Sequence, residues 1–322
     1  MTAPTDNAAG SVDVVVVTRN TREMTLRCVR SALAENDSLQ ISVCVVDNAS
    51  SDGTREALGG EPATTVIVND HNAGYGLACN QGAAGGSAEF VLILNSDIIV
   101  GEGSITRLVE FLRQSPEHVA CGGRIVNPGT NDPQVGHAIR AFPRFSSQAA
   151  QMLGLERNWP SNPLSRRAMG LDLDYEQTQD ADQPPGSCLL IRRADYDALG
   201  GFDENFFYWY EDVDLCMRLS GRGRIAYVHD APFEHEGSAT FASWDRSEHV
   251  RSWYGGVFRY FAKHRPLHER IAIRGLAAAL ATIRALAWLP RNRGRSKTLF
   301  CIAGLALRPV RRDHLMLPGG RG

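Results

Sequence analysis

The 322-residue sequence lacks several short motifs that mark common functional classes. No C-x-x-C pair occurs, so the seven cysteines do not have the spacing of a zinc or dithiol redox site. After the first apolar run stands Thr18-Arg19-Asn20-Thr21-Arg22, without the G-x-G-x-x-G of dinucleotide-binding folds, which argues against a dinucleotide-dependent oxidoreductase. Lysine and arginine do not cluster with phosphate-loop spacing, and no known nucleic-acid-binding motif is present, so nucleic acid is not an expected partner.

A secretory signal and an excess of one charge over the whole chain are also missing. Residues 1–10 contain no basic residue and no apolar core, and we expect a flexible N-terminus there. The composition, 43% hydrophobic and 22% charged, is typical of a soluble globular protein. The cysteines lie scattered, mostly in apolar runs, and are predicted to be reduced core residues of a cytoplasmic protein.

The net charge of −2 conceals a basic C-terminus. Residues 1–258 hold 20 bases and 34 acids, whereas residues 259–322 hold 14 bases and 2 acids and two apolar stretches. The first stretch is long enough to span a bilayer, but Arg274 and Arg284 lie inside it and would each cost about 3 kcal/mol at mid-bilayer. We therefore predict a helical, basic extension over residues 241–322 that lies on an anionic membrane surface. The alternatives are a packed helical pair with a solvated arginine face, and a tail that forms a homodimer.

Alternating strand and helix patterns predict an α/β fold for residues 11–240. The β-branched run at 12–17 and later apolar runs are typical of strands in a mainly parallel sheet, and amphipathic patterns between them predict covering helices. Residues 127–183 show no clear period and are expected to be mostly loop. Because ligands collect at the carboxyl ends of parallel strands, the polar clusters that follow the strands are expected to converge on one crevice.

Five motifs occur in these loops, in this order: Val46-Asp47-Asn48-Ala49-Ser50-Ser51-Asp52-Gly53, Asn72-Ala73-Gly74-Tyr75-Gly76, Asn80-Gln81-Gly82, Leu94-Asn95-Ser96-Asp97, and Gly201-Phe202-Asp203 through Glu211-Asp212-Val213-Asp214. Through them the chain resembles the family 2 inverting glycosyltransferases, in particular the rhamnosyltransferase-like branch, over roughly residues 11–240. The resemblance implies a GT-A type fold for nucleotide-diphospho-sugar transfer. Residues 11–126 would bind the nucleotide sugar, and residues 127–240 would bind the acceptor.

Asp97 is the predicted metal ligand. The diphosphate of an activated sugar must be neutralised before it leaves, and without a basic cluster a divalent cation is suited to that task. A carboxylate at a strand end suits Mg²⁺ or Mn²⁺, with diphosphate oxygens and waters filling the other positions. The resemblance adds His235 as a ligand, with His229 as the competing candidate. The family's D-x-D motif begins here with Asn95, so we expect this residue to hydrogen-bond the sugar nucleotide.

Asp212 is predicted to be the general base. An inverting transfer needs a carboxylate on the acceptor side to take the proton of the attacking hydroxyl. Glu211 is placed beside it in the catalytic pair. The alternative is that both acids only complement the positive end of a helix. Asp214 is predicted to form a helix-surface ion pair with Arg218 at spacing i,i+4.

The other predicted contacts to the sugar nucleotide are strand-end and loop residues. By resemblance Asp47 accepts a hydrogen bond from a pyrimidine base with help from Thr18 and Asn20, although a strand-end Asx turn is equally expected of Asp47. Trp209 and Tyr210 are expected either to stack on a sugar or to join the core. The remaining contacts are Asn72, Gly74 and Asn80.

The resemblance therefore implies a metal-dependent inverting glycosyltransferase. It would move L-rhamnose from dTDP-L-rhamnose to a lipid-linked or cell-envelope glycan, in the cytoplasm or on the inner face of the cell membrane. The alternatives are a UDP-hexose or UDP-galactofuranose donor on the same fold, and a non-catalytic nucleotide-sugar binder. A binder predicts loss of the acidic site, but Asp97, Asp212 and His235 are all present.

Overall fold

In a computed structural model the chain folds around one nine-stranded sheet, and the structure describes residues 10–136, 138–159, 161–237 and 246–308. The strands are β1 (Ser11–Thr18), β2 (Gln40–Asp47), β3 (Thr64–Val68), β4 (Phe90–Asn95), β5 (Ile98–Val100), β6 (His118–Val126), β7 (Gln179–Asp180), β8 (Cys188–Arg192) and β9 (Arg224–His235). The helices are α1 (Arg22–Leu33), α2 (Thr54–Leu58), α3 (Tyr75–Ala83), α4 (Ser104–Gln114), α5 (Phe145–Leu153), α6 (Leu155–Asn158), α7 (Pro163–Ala168), α8 (Arg193–Ala198), α9 (Glu211–Leu219), α10 (Arg246–His264), α11 (Leu267–Trp288) and α12 (Arg293–Ala306).

The predicted α/β fold is confirmed, and the sheet is mixed. Its order is β3-β2-β1-β4-β8-β6-β9-β5, with β7 paired to β9. The first four strands in this order are parallel, β8 runs antiparallel between β4 and β6, and β9 is parallel to β6. Because Thr18 pairs with Asp47 and Val17 pairs with Asn95, the carboxyl ends of β1, β2 and β4 lie level at one edge.

The β-branched run of β1 is buried on both faces, as its composition predicts. Val12, Val14 and Val16 pack in the core cluster beneath α1 and α4, whereas Val15 faces the cluster beneath α3 and α9. Each fully buried valine contributes about 1.5–3 kcal/mol relative to an exposed one. This double burial makes β1 the rigid centre from which the site loops emerge.

The predicted C-terminal helices are confirmed, as α10, α11 and α12. They form a third core cluster in which Tyr260, Ile273 and Ile302 pack with Met152 of α5 and Val213 of α9. The tail is therefore packed against the α5 and α9 region, which borders the site described below.

Most of the described residues in 127–183 are loop, as expected, but the segment also holds short elements that the sequence did not predict. This segment contains α5, α6, α7 and the short strand β7. The helices are only four to nine residues long, too short for an apolar period to emerge among their polar residues. A local signal does mark α7: the side chain of Asn162 accepts a hydrogen bond from Ser165 N, and Pro163 begins the helix.

The cysteines are all free, as expected, but they are not all in the core. Cys28, Cys79, Cys121, Cys188 and Cys216 are buried, Cys44 is half-buried, and Cys301 on α12 is exposed. Burial raises the pKa of the thiols at Cys79, Cys121 and Cys216 well above the usual range, so these thiols remain protonated and inert.

Candidate active site

The strand ends converge on a cavity of about 850 Å³. The loop after β4, the end of β9 and the start of α9 all contribute to its wall, together with residues of the 133–151 segment. A smaller cavity of about 30 Å³ adjoins it through Tyr75, Asn95 and Tyr208, which line both. The predicted residues in the main cavity are Asn95, Asp97, Glu211, Asp212 and His235, and those in the small one are Thr18, Asn72 and Asn95.

Asp97 and His235 face each other at one wall of the main cavity. Asp97 lies in the turn between β4 and β5, and β5 pairs with β9 so that Ile98 stands opposite His235. The amide of Glu236 donates to the carbonyl of Asp97 at 3.1 Å, which fixes the turn. As a result Asp97 Oδ1 lies 3.5 Å from His235 Nε2.

This separation fits two ligands of one cation, because neighbouring ligands of an octahedral Mg²⁺ or Mn²⁺ lie about 3 Å apart. No group of three or more His, Cys, Asp or Glu side chains has a metal-binding arrangement among the described residues. A cation here would therefore take two ligands from the protein, and oxygens of a diphosphate and of water would complete its shell.

Gln134 holds His235 in the orientation that a metal ligand needs. Its Nε2 donates to the carbonyl of His235 at 2.8 Å, which fixes the amide so that Oε1 accepts from His235 Nδ1 at 3.2 Å. With the ring proton on Nδ1, Nε2 is the unprotonated nitrogen, and it is the one nearer to Asp97. His229, the competing candidate, lines neither cavity.

Glu211 and Asp212 are adjacent acids in the first turn of α9, where Glu211 is buried and Asp212 is half-buried. Burial raises the pKa of Glu211 well above the usual range, and the charge of Asp212 raises it further. Burial also raises the pKa of Asp212, but the amide of Val213, at 2.8 Å from Oδ1, and the positive charge of Arg140 both oppose the shift. Within the described part of the chain Glu211 Oε2 has no hydrogen-bond partner. Asp212 is therefore the member of the pair that ionises first.

The residues before α9 adopt an uncommon backbone. Trp209 and Tyr210 both have left-handed φ angles, 72° and 71°, which cost about 1–2 kcal/mol each for residues with a side chain. Surrounding contacts hold this turn: Ser252 Oγ donates to the carbonyl of Tyr208 at 2.9 Å, and Gly256 packs so tightly that a Cβ would lie 2.5 Å from the carbonyl oxygen of Trp209. The turn directs the first residues of α9 into the cavity, and Trp209 lines it while Tyr210 also packs in the core.

Near the ends of β1 and β4, hydroxyl and amide groups form a short network. Thr18 Oγ1 lies 2.7 Å from Thr25 Oγ1, and Thr21 Oγ1 lies 2.9 Å from Ser96 Oγ. Tyr75 donates to Asn95 Oδ1 at 2.8 Å, which leaves the Nδ2 group of Asn95 available as a hydrogen-bond donor.

Asn80 lines neither cavity, and its contact with the sugar nucleotide stays a prediction. Its Oδ1 accepts from Phe202 N and from Tyr196 Oη, both at 2.8 Å, and its Nδ2 donates to the carbonyl of Phe202 at 3.0 Å. A Cβ on Gly201 would lie 2.3 Å from Asn80 Oδ1. The amide thus joins α3 to the turn at 200–202 and has no remaining acceptor for a ligand.

Asn20, Asp47 and Gly74 also line neither cavity and instead shape the loops beside them. Asp47 Oδ1 accepts from Ser50 N at 2.9 Å, which is the strand-end turn weighed above. Asn20 Oδ1 accepts from Ser51 N at 2.7 Å. Gly74 has φ 88°, and a Cβ there would lie 2.6 Å from the carbonyl oxygen of Phe207, so only glycine fits. Direct contact of these three residues with a nucleotide stays a prediction.

The sequence did not point to several residues of the acceptor half. Gln134, Arg140, Gln183 and Trp253 all line the main cavity. Arg140 and Gln183 pair as an isolated antiparallel bridge, and the Gln183 side chain acts to lower the pKa of Asp212. Three of them lie in the segment expected to be loop, where no period or motif distinguished them.

Comparison with known proteins gives a consistent assignment. The family model described as glycosyl transferase family 2 matches residues 13–196. The N-acetylglucosaminyl-diphospho-decaprenol L-rhamnosyltransferase of Mycobacterium tuberculosis is 29% identical over 282 residues, which are 80% of this chain and 88% of that protein. Rhamnosyltransferase WbbL of Escherichia coli (strain K12) is 28% identical over 189 residues, 56% of this chain and 65% of the relative.

Two solved structures share the fold. The mannosyltransferase PcManGT from Pyrobaculum calidifontis, in complex with GDP-Man and Mn²⁺, superposes with a TM-score of 0.52 at 18% identity, covering 94% of this chain and 88% of that one. S. aureus TarS 1-349 superposes with a TM-score of 0.50 at 14% identity, covering 92% and 90%. At these identities the likeness concerns the fold alone.

Proposed function

The chain belongs to glycosyl transferase family 2, and from this premise we propose that it is a metal-dependent, inverting rhamnosyltransferase that uses dTDP-L-rhamnose and a lipid-linked or cell-envelope glycan. The family and the GT-A fold make it a glycosyltransferase, and the names of its relatives favour rhamnose. The observation that carries the proposal is that Asp97 and His235 line the same cavity as Asp212.

In the proposed reaction the two sets of side chains have separate tasks. Asp97 and His235 hold the cation, which, when bound, offsets the charge of the departing diphosphate. Tyr75 and Asn95 orient the sugar nucleotide. Asp212 accepts the proton of the acceptor hydroxyl as its oxygen bonds to the anomeric carbon and the bond to the diphosphate breaks. Attack opposite to the leaving group inverts the anomeric configuration.

The side chains present favour Mn²⁺ over Mg²⁺. Both ions bind carboxylates, but Mg²⁺ is a hard cation that takes oxygen ligands, whereas His235 offers a nitrogen. We propose that Mn²⁺ is the better cofactor and that Mg²⁺ supports a lower rate.

The test is a transfer assay with purified protein, a panel of dTDP-L-rhamnose, UDP-hexoses and UDP-galactofuranose, and a prenyl-diphosphate-linked N-acetylglucosamine acceptor. We expect Mn²⁺-dependent transfer of rhamnose, with inversion read from the anomeric NMR signals of the product. Transfer from a UDP-sugar instead would select the alternative donor. Nucleotide-sugar binding without transfer or hydrolysis, with either metal, would identify a non-catalytic binder.

We also propose that the tail contacts an anionic membrane surface, which would place the protein peripherally on the inner face of the cell membrane. Among the described helices, α11 alone is long and apolar enough to cross a bilayer. The two arginines inside its apolar stretch face the protein: Arg274 Nε donates to the carbonyl of Ala306 at 2.8 Å, and Arg284 Nη2 donates to that of Met152 at 2.8 Å. The outward face is therefore apolar instead of the solvated arginine face weighed above.

Charge and exposure at this face support peripheral contact. Ile271 and Ile283 are each 63% exposed and Leu286 is 56% exposed. The start of α12 carries exposed basic side chains beside the end of α11, and Arg295 lies over the ring of Trp288 at 4.0 Å. An apolar strip next to a basic cluster is the composition of an interfacial element on anionic lipid.

Vesicle co-sedimentation tests this contact. We expect binding to phosphatidylglycerol vesicles and little binding to neutral phosphatidylcholine vesicles. The double substitution Ile283→Ser, Leu286→Ser should weaken binding by about tenfold or more, because each aliphatic side chain moved out of water contributes about 1.5–3 kcal/mol. Val68→Ser, at an exposed valine on β3, is the matched control. If the wild type is a dimer, and the double variant binds vesicles normally but is a monomer, this face would instead be assigned to a homodimer interface.

A further inference from the structure

Arg140 is a cation without an ion pair inside the candidate active site. Of the described residues that line the main cavity, it is the only arginine or lysine. Its side chain donates one hydrogen bond within the described part of the chain, from Nε to the carbonyl of Gly136 at 3.0 Å. Glu156 and Asp212 line the same cavity, and the charge of Arg140 acts to lower the pKa of each, but within the described part of the chain neither carboxylate forms an ion pair with it. The terminal guanidinium nitrogens therefore remain available to a ligand.

The backbone places this cation on the acceptor side. Arg140 N donates to the carbonyl of Gln183 at 2.9 Å, and Gln183 N donates back to that of Arg140 at 3.1 Å. Gln183 lines the main cavity together with Asp212. Arg140 is thus tied to the wall that carries the proposed base, whereas the proposed cation site is on the wall built from the β4–β5 turn and the end of β9.

We propose that Arg140 binds a phosphate group of the acceptor, so that the enzyme selects a phosphate-linked sugar over a neutral glycan. This inference rests on the proposed function. A guanidinium offers paired N–H donors that match two oxygens of a phosphate. Trp209 and Trp253 line the same cavity and provide flat apolar surfaces for the sugar ring between the phosphate and the attacking hydroxyl. Arg140 is a specificity-determining residue in this account, separate from the base.

The experiment compares two acceptors that differ only in charge: one sugar linked through a diphosphate to a prenyl chain, and the same sugar linked to a neutral alkyl chain. Arg140→Gln should raise KM for the diphosphate acceptor by about 10- to 100-fold and leave KM for the neutral acceptor unchanged. Arg140→Lys should fall between. Arg144→Gln, an exposed arginine of the same segment that lines neither cavity, is the matched control. The assays are run at a pH where Asp212 is ionised in every variant.

A second role for Arg140 would give a different pattern. If its charge served only to keep Asp212 ionised, Arg140→Gln would move the acid limb of the rate profile to higher pH with both acceptors, and KM for each acceptor would be unchanged at the pH of the assay. That result overturns the proposal. So does a wild-type enzyme that uses both acceptors with equal kcat/KM.

A binding measurement separates this inference from the proposed function. Prenyl diphosphate is titrated calorimetrically into each protein with EDTA present, so that a cation cannot hold the diphosphate at Asp97. We expect the wild type to bind and Arg140→Gln to bind about 10- to 100-fold more weakly, even if transfer from every tested nucleotide sugar fails. Equal affinity in the two proteins contradicts the inference, whatever the transfer assay shows.

Discussion

At the residue scale, burial sets the pKa values of the two acids that begin α9, and these values decide which acid can act as a base. Glu211 is buried and the adjacent Asp212 is half-buried, and this loss of contact with water raises the pKa of each. Asp212 is favoured as the charged member because a backbone amide and Arg140 stabilise its carboxylate. A base with a raised pKa holds an abstracted proton more strongly than an exposed aspartate does, which suits proton removal from an alcohol.

We predict that the acid limb of the kcat/KM profile lies above the ordinary pKa of aspartate. The base must be ionised to act, and since its pKa is raised, activity is lost on acidification at a higher pH than 3.8. The limb belongs to the coupled pair and is measured as kcat/KM from pH 4 to 9. An acid limb at or below the ordinary aspartate value would contradict the burial argument.

Gln134 should control metal affinity without touching the metal. Gln134→Leu removes both hydrogen bonds to His235, and we expect the Kd for Mn²⁺ to rise by about 10- to 100-fold. The measurement is Mn²⁺ titration followed by electron paramagnetic resonance, which needs no turnover. Gln177→Leu, at an exposed glutamine, is the control and should bind Mn²⁺ as the wild type does. Unchanged affinity in Gln134→Leu would mean that His235 is held by other contacts or is not a ligand.

The residues that sequence reasoning placed in the cavity share a local signal. Asp97, Asp212 and His235 each follow or begin an apolar element, and a polar residue at such a position is exposed to the crevice by the topology of the sheet. Gln134 and Arg140 had no such signal, because the 127–143 chain is held by contacts to distant strands. The hydrogen bonds of Asn80 could not be predicted, because its partners lie more than a hundred residues away, in a turn that no local pattern links to α3.

At the element scale, α9 is anchored to the C-terminal helices by a buried carboxylate. The predicted pair of Asp214 with Arg218 is confirmed at 2.8 Å, but Asp214 is completely buried instead of lying on the helix surface. It also accepts from His264 at 2.6 Å and contacts Lys263 at 2.8 Å, both at the end of α10. The helical period shows the i,i+4 partner, but only the fold brings α10 to this position.

Asp214→Asn should destabilise the protein by about 3–5 kcal/mol, because it removes the buried negative charge that Arg218, Lys263 and His264 share. The check is urea unfolding at pH 7. Burial opposes the charged form, but hydrogen bonds from His264 and Lys263 outweigh it and lower the pKa of Asp214. The stabilisation is therefore present above the ordinary aspartate pKa and is lost as the pH falls through the lowered one.

The control for this variant is Asp172→Asn, which breaks an exposed pair with Arg166 and should cost at most about 1 kcal/mol. A loss of similar size in both variants would show that the contacts of Asp214 are no more valuable than a surface pair.

The turn before β8 should be sensitive to a single methyl group. A Cβ on Gly186 would lie 2.4 Å from Asp212 Oδ2, so Gly186→Ala must displace the proposed base. We expect kcat to fall by about 10²-fold, as for a misplaced catalytic group, with KM for the nucleotide sugar little changed. Gly85→Ala, where the added Cβ meets no atom within 4 Å, should leave kcat unaffected. Normal kcat in Gly186→Ala would argue against Asp212 as the base.

At the scale of the whole molecule, the alternation of strands and helices was sufficient to predict the α/β class. The direction of β8 and the pairing of β5 with β9 were not predictable, because short apolar runs are the same in parallel and antiparallel strands. That antiparallel pairing is what brings His235 to Asp97. The composition of the tail showed that it is basic. It could not show that Arg274 and Arg284 point toward the protein, because they do so by donating hydrogen bonds to carbonyl groups of α12 and α5.

The most direct test of the account is a pair of titrations that separates the two walls of the cavity. Donor nucleotide sugar is titrated with Mn²⁺ into Asp97→Asn and Asp212→Asn, and turnover is measured on the same samples. We predict that Asp97→Asn loses about tenfold or more in Mn²⁺-dependent affinity, whereas Asp212→Asn binds as the wild type does and turns over about 10²- to 10⁴-fold more slowly. An active Asp212→Asn enzyme, or Mn²⁺-dependent binding that does not change in Asp97→Asn, would contradict it.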